Sequence, residues 1–192
     1  VDNVGRVAVG IDWGIWSPAA AVLVVRLADG RYYAIDECYM TDSNAHQFAD
    51  MVRELVNNNN IHRCDFVIDS STFNRTDGLV SVAERFRERG VPVLAATRDR
   101  LGSLALLRQL MAERKLIISP ACTNLLDELR GAELIDGRGD FSGSDHAIDA
   151  LRYAVAHLHQ YPVRKPIDVS PQAVWQHALK SARRQRAGAK YL

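Results

Sequence analysis

The chain is poor in cysteine: Cys38, Cys64 and Cys122 are its only three among 192 residues, and they stand far apart. An odd count with no CxxC pair argues against a disulfide framework and against a Cys/His zinc site. The three are read as small apolar residues in a reducing compartment. The sequence also lacks any apolar run near the roughly 20 residues of a membrane span, and it has no signal peptide. A soluble cytosolic protein is therefore expected, with no membrane partner. A charge bias is missing too: 24 Lys and Arg residues face 23 Asp and Glu, for a net charge of +1. That removes the global electrostatic signature of a nucleic-acid binder, although an acidic metal site can offset a basic track. There is no internal repeat, and the tetra-asparagine at 57–60 is too short to count as low complexity. The chain opens on Val1 rather than Met, and a portion of a larger polypeptide is expected.

What is present is a 47% hydrophobic composition, enough for one domain with a substantial core. Residues 6–12, 19–27 and 31–40 read as three strands. The Asp29-Gly30 link supplies the positive φ of a tight hairpin turn, so an antiparallel meander is expected. Residues 43–56 place Phe48, Met51 or Val52, and Leu55 on one helical face, with Asp42 or Ser43 as the cap. A strand at 65–69, a helix at 78–90 closed by Gly90, a strand at 91–96, a helix at 99–115, a strand at 116–119 and a helix at 121–134 follow. Residues 135–144 form a Gly-rich loop or small hairpin, and 145–160 a strong helix. Strands joined through helices tend to lie parallel. The expected fold class is α/β, a mixed central sheet of three antiparallel strands then parallel strands, with helices on both faces.

Aspartates stand at telling places in this frame. Asp12 ends the apolar run of the first strand, in "VGIDWG", where an unpaired carboxylate would be costly. Asp69 ends the fourth strand. In the last helix, at ~100° per residue, Ile148, Leu151, Val155 and Leu158 form the buried stripe. Asp149 lies ~100° and Asp145 ~60° from Ile148, so both border that stripe. His146 and Asp149, at i and i+3, can share a site. If the first and fourth strands are neighbours, Asp12, Asp69 and Asp149 converge and require a cation. Oxygen ligands select hard ions, Mg²⁺ or Mn²⁺, and two such ions ~4 Å apart suit in-line attack on a phosphodiester. Plainer structural readings stand beside these. Ser142-x-x-Asp145 fits a capping box, Trp13 and Trp16 fit core packing, and Arg138-Gly139-Asp140 fits a turn. Arg75, Arg98, Arg100 and Arg108 are either solvated or placed to hold phosphates.

The segments "GIDWG", "FVIDSS" and above all "SDHAIDALRYAV" give residues 5–160 a pattern that resembles the nuclease domain of tailed-bacteriophage large terminases, within the RNase H-like superfamily. The resemblance implies an RNase H-like fold and a metal triad of Asp12, Asp69 and Asp149. It also implies supporting roles for His146 in catalysis and Asp145 at the metal. It implies an endonuclease that uses Mg²⁺ or Mn²⁺, with two ions, to cut concatemeric viral double-stranded DNA during genome packaging in the host bacterial cytoplasm. Its implied partners are DNA, a terminase ATPase domain in cis, the small terminase subunit and the portal protein. The isolated domain is expected to be monomeric. The sequence departs from the whole large subunit in having no GxxxxGK[ST] phosphate loop, so ATP-driven translocation is not its own activity.

The domain is expected to span 1–160 and a basic arm 161–192. From Pro162 onward seven Lys and Arg residues face Asp168 alone, a composition that suits an arm for the portal or for nucleic acid. Three other functions compete. A RuvC-type Holliday-junction resolvase shares the His-x-x-Asp ending and would choose four-way junctions. An ATP-binding domain of the actin or sugar-kinase type also begins with strand, Asp and Gly, but needs a second phosphate-binding half. A non-catalytic packaging-motor docking domain would leave the three aspartates as a needless cost.

Overall fold

The structure, a computed structural model, describes residues 4–14, 17–42, 44–75, 80–135 and 140–161. Trp16, the Arg138-Gly139 tip of the Gly-rich segment and the basic stretch 162–192 fall outside the described residues.

Strands β1 (Val4–Asp12), β2 (Ala19–Leu27) and β3 (Tyr32–Met40) form the expected meander, and Gly30 takes φ +89° in its turn. Helix α1 (Ala45–Asn58) leads to β4 (Asp65–Ile68), and α2 (Val82–Glu88) to β5 (Val93–Ala95). Helix α3 (Arg100–Ala112) precedes β6 (Leu116–Ile118), and α4 (Thr123–Gly131) precedes the hairpin β7 (Glu133–Ile135) and β8 (Asp140–Ser142). Helix α5 (His146–His159) follows. The main sheet runs β5-β4-β1-β2-β3-β6, with β4 parallel to β1 and to β5, and β6 parallel to β3.

Side chains alternate between the two faces of the central strands. Val7, Val9, Ile11, Ala21 and Leu23 pack with Phe48 and Val52 of α1 and Phe86 of α2. Ala8, Val22 and Val24 pack with Leu107 of α3, Leu125 of α4 and Ile148, Leu151 and Val155 of α5. Asp12 has the parity of Ala8 and Gly10, which turns it toward the α5 face. Gly10 is needed there. A Cβ on it would stand 1.8 Å from the Ala150 carbonyl oxygen, so the missing side chain lets α5 lie directly on β1. The far end of α5 is pinned as well: Arg26 donates to the Leu158 and Tyr161 carbonyls at 2.6 Å each, and His157 meets Asp65 at 3.0 Å.

Several local expectations need correction. The cap of α1 is Asn44, in a reciprocal capping box with Gln47, rather than Asp42 or Ser43. The fourth helix stops at Gly131, because residues 133–135 enter a strand. Ser142 and Asp145 form no capping box: Ser142 ends β8, and Asp145 stands at the N-cap of α5 with no side-chain capping bond. Cys122 is buried and Cys38 and Cys64 half-buried, all as free thiols. Burial pushes Cys38 and Cys122 up to about 12 and Cys64 up to about 11, which keeps them inert. Among the described residues no helix is long and apolar enough to cross a membrane.

Candidate active site

The site lies at the carboxyl ends of β1 and β4. Their last paired residues are Ile11 and Ile68, so Asp12 and Asp69 follow as neighbours on parallel strands. Asp69 turns the chain into a 3₁₀ turn, Ser70–Phe73, and its Oδ1 accepts the Ser71 amide at 2.6 Å. Helix α5 brings the other groups from above. Asp12 Oδ2 meets His146 Nδ1 at 2.9 Å, and Tyr153 donates its hydroxyl to Asp69 Oδ2 at 2.8 Å. Asp149 is buried and held by two arginines. Arg152 Nε donates to its Oδ1 at 3.0 Å, and Arg100 Nη1 to its Oδ2 at 2.5 Å. The other end of the Arg100 fork reaches Asp145 Oδ2 at 2.8 Å.

These groups feel one another's charge. Burial holds the Asp12 carboxyl above its ordinary range; the His146 bond pulls it down, and the charges of Asp149 and Asp145 push it up again. Burial, then the carboxylates of Asp149, Asp12 and Asp69, drive the Tyr153 hydroxyl upward, so it remains a proton donor. The Tyr153 hydroxyl thus feels the charge of all three aspartates of the expected triad and hydrogen-bonds one of them, Asp69. For Asp69 burial acts upward but is outweighed by hydrogen bonds from Ser71 and Tyr153 and by the Arg152 charge, and the net shift is down. His146 is raised, first by its bond to Asp12, against burial.

Over residues 9–158 the sequence matches the family described as the terminase RNaseH-like domain. The chain belongs to this family. A search of curated protein sequences finds no significant match. Among solved structures, the terminase domain is similar to the large terminase nuclease domain of P22, with 18% identity and a TM-score of 0.68 over 83% of this chain and 84% of that one. It is also similar to the large terminase nuclease domain of bacteriophage SPP1 with bound Mn (22% identity, TM-score 0.61, 81% and 87% covered). A large terminase from a thermophilic bacteriophage gives 17% identity and a TM-score of 0.67 over 83% of this chain, which spans only 40% of that protein. The RNase H-like mixed sheet is thus shared.

The carboxylate donors of this terminase domain suit a hard divalent cation, and the repulsion that Asp149 and Asp145 exert on Asp12 is what such an ion would relieve. Yet in this conformation each aspartate is answered by a protein partner. Among the described residues no group of three or more His, Cys, Asp or Glu side chains is arranged to hold one ion. Asp145 is drawn to Arg100 rather than to the helix it begins.

Other residues were not legible as site residues. Glu128 of α4 accepts the Ala147 and Ile148 amides at 2.7 and 3.1 Å, capping α5 from outside. Glu37 of β3 does the same for α4, accepting the Asn124 and Leu125 amides at 2.6 and 3.0 Å. Neither helix has a side-chain cap of its own, and that missing local cap is the signal that could have prompted a search for a distant one. Trp13 packs against Phe48 and Phe86, with ring centroids 5.9 and 6.2 Å away, in the core role expected of it. Of the four arginines, Arg75 pairs with Glu84, Arg98 bonds Ser70 at 3.3 Å, and Arg108 is exposed.

Proposed function

We propose that this terminase domain is a metal-dependent endonuclease that cuts concatemeric viral double-stranded DNA during genome packaging, as the nuclease portion of a large terminase subunit. The observation that carries the reading is the placement of Asp12 and Asp69 at the adjacent carboxyl ends of parallel β1 and β4, with His146 and Tyr153 of α5 bonding one each and Asp149 between them on that helix. Family membership and the manganese in the similar SPP1 domain support it. Asp12, Asp69 and Asp149 are the ligands, with Asp145 as a further candidate, for Mg²⁺ or Mn²⁺ and for two ions rather than one. Bound there, such ions would activate water and stabilise the leaving oxygen of a phosphodiester. The chain's own residues prepare that chemistry. Tyr153 fixes the direction of the Asp69 carboxylate, Arg152 anchors Asp149 from inside, and His146 orients Asp12 and can hold a proton beside it. The proposed partners are DNA, an ATPase domain in cis, the small terminase subunit, and the portal through the basic stretch 162–192. The proposed place of action is the cytoplasm of the bacterial host.

The test is cleavage of supercoiled plasmid, linear duplex and four-way junction with Mg²⁺, Mn²⁺ or EDTA, wild type beside Asp12→Asn. Metal-dependent cutting of plasmid and duplex, reduced roughly 100-fold or more in the variant, is expected. Cutting confined to junctions would favour a resolvase. Asp12→Asn cutting as well as wild type would overturn the assignment of Asp12.

A further inference from the structure

The two arginines on Asp149 are not equivalent. Arg152 lies one helical turn away on α5, with a side chain only 4% exposed, and its Nη1 also donates to Ser103 at 3.1 Å. It is a fixed interior counter-ion. Arg100 is the first residue of α3, its side chain is 29% exposed, and its fork bridges two carboxylates from the start of α5, Asp149 at 2.5 Å and Asp145 at 2.8 Å. A positive group bridging two carboxylate oxygens at the mouth of a carboxylate cluster takes the electrostatic place of a cation.

We propose that Arg100 sets the metal affinity of this site by holding the cation's place and being displaced when the cation binds; the proposal rests on the metal-site reading above. Asp149 is buried, and a buried carboxylate without enough positive charge is costly. Arg152 answers one of its oxygens. In the absence of metal Arg100 answers the other, so the acidic cluster folds without an ion. A divalent cation approaching Asp149 Oδ2 must break that short charge-assisted bond. Arg100 can yield without leaving a buried charge behind, because its partly exposed side chain has solvent to move into, whereas Arg152 has none. The apparent metal affinity is thereby lowered by the cost of breaking the Arg100 contacts. An arginine that merely steadied Asp149 would instead favour metal binding, and the two roles predict opposite signs.

The experiment is calorimetric titration of the EDTA-stripped full chain with Mn²⁺, comparing wild type, Arg100→Gln, Arg100→Lys and Asp149→Asn, with thermal melts at each metal concentration. Arg100→Gln should bind Mn²⁺ on the order of tenfold tighter, the scale of one lost charge-assisted competitor, and Mn²⁺ should raise its Tm more than that of wild type. Arg100→Lys, which keeps the charge but not the fork, should fall between, and it decides by the same sign if Arg100→Gln does not fold. Unchanged or weaker binding, with Asp149→Asn abolishing the binding seen in wild type, overturns the role of Arg100 and leaves the metal site standing. No Mn²⁺ binding by folded wild type and Arg100→Gln overturns the metal site and the proposal together.

Discussion

Asp12 is mostly buried, with a side chain 18% exposed, and it bonds a His146 ring that is 20% exposed. Two opposing influences meet in the pair. Burial and neighbouring carboxylates favour a protonated Asp12, while the same contact favours a protonated His146. Both folded pKa values are raised, so in each case the folded state binds a proton more tightly than the unfolded chain. The His146 contribution to stability is complete below its ordinary value of 6.5 and is lost as pH rises through the higher folded value. Asp69, shifted down, has the opposite sign: its contribution is present above 3.8 and disappears as pH falls through the folded value. Asp12→Asn removes the largest influence raising His146 and leaves the burial that lowers it. The His146 titration, followed by NMR in EDTA, should therefore move to lower pH in the variant, and its stability should fall less as pH rises through neutrality. A His146 titration midpoint unchanged by the substitution would show that the pair does not form in solution.

Among elements, α5 is the one that must be placed accurately, because it carries Asp149, His146 and Tyr153. Helices α1, α2 and α3 carry their own caps at Asn44, Ser81 and Asp99; α4 and α5 borrow theirs. The borrowing runs as a relay, from Glu37 on β3 to α4, and from Glu128 on α4 to α5, with Tyr39 and Ser144 donating to the other Glu128 oxygen at 3.1 Å each. A carboxylate on helix amides is favoured by both hydrogen bonding and the macrodipole. Glu128→Ala should therefore cost about 1–2 kcal/mol, read as a lower urea midpoint, and loosen amide protection in the first turn of α5 more than in its last. Uniform protection along α5 would refute this placement. Much of this architecture was legible: β2 occupies the expected 19–27, and the Ile148 stripe is buried as its spacing implied. The adjacency of β1 and β4 entered only as a condition, which the parallel pairing of Ile11 with Ile68 meets. Glu128 was not legible, because it acts across 19 residues and its own helix gives no period or motif that singles it out. Nor was the Arg100 fork, since a sequence places an arginine at a helix start without showing which carboxylates it will reach.

Over the whole molecule, charge is divided by position. The chain carries +1, yet its last 31 residues hold seven basic side chains against one acidic, so everything before Pro162 is net acidic. A carboxylate cluster repels DNA until cations neutralise it, and before Pro162 the basic residues, the exposed Arg98 and Arg108 among them, are outnumbered by acidic ones. If DNA is the substrate, residues 162–192 are expected to supply most of its non-specific attraction, and that contribution is recognisable by its salt dependence. Each phosphate neutralised contributes about −0.9 to the slope of log K against log salt on duplex DNA. All described strands and helices lie within 4–159, and Tyr161 is kept by the Arg6 guanidinium 3.8 Å above its ring, so a chain ending at Tyr161 preserves the site. Fluorescence anisotropy with duplex DNA should give a full-length slope steeper than that of the shortened chain by several units, and weaker binding by the latter at low salt. Metal-dependent cleavage by the shortened chain should persist but need more DNA. Equal slopes would locate the phosphate contacts on the globular domain itself and leave the basic stretch to a protein partner such as the portal.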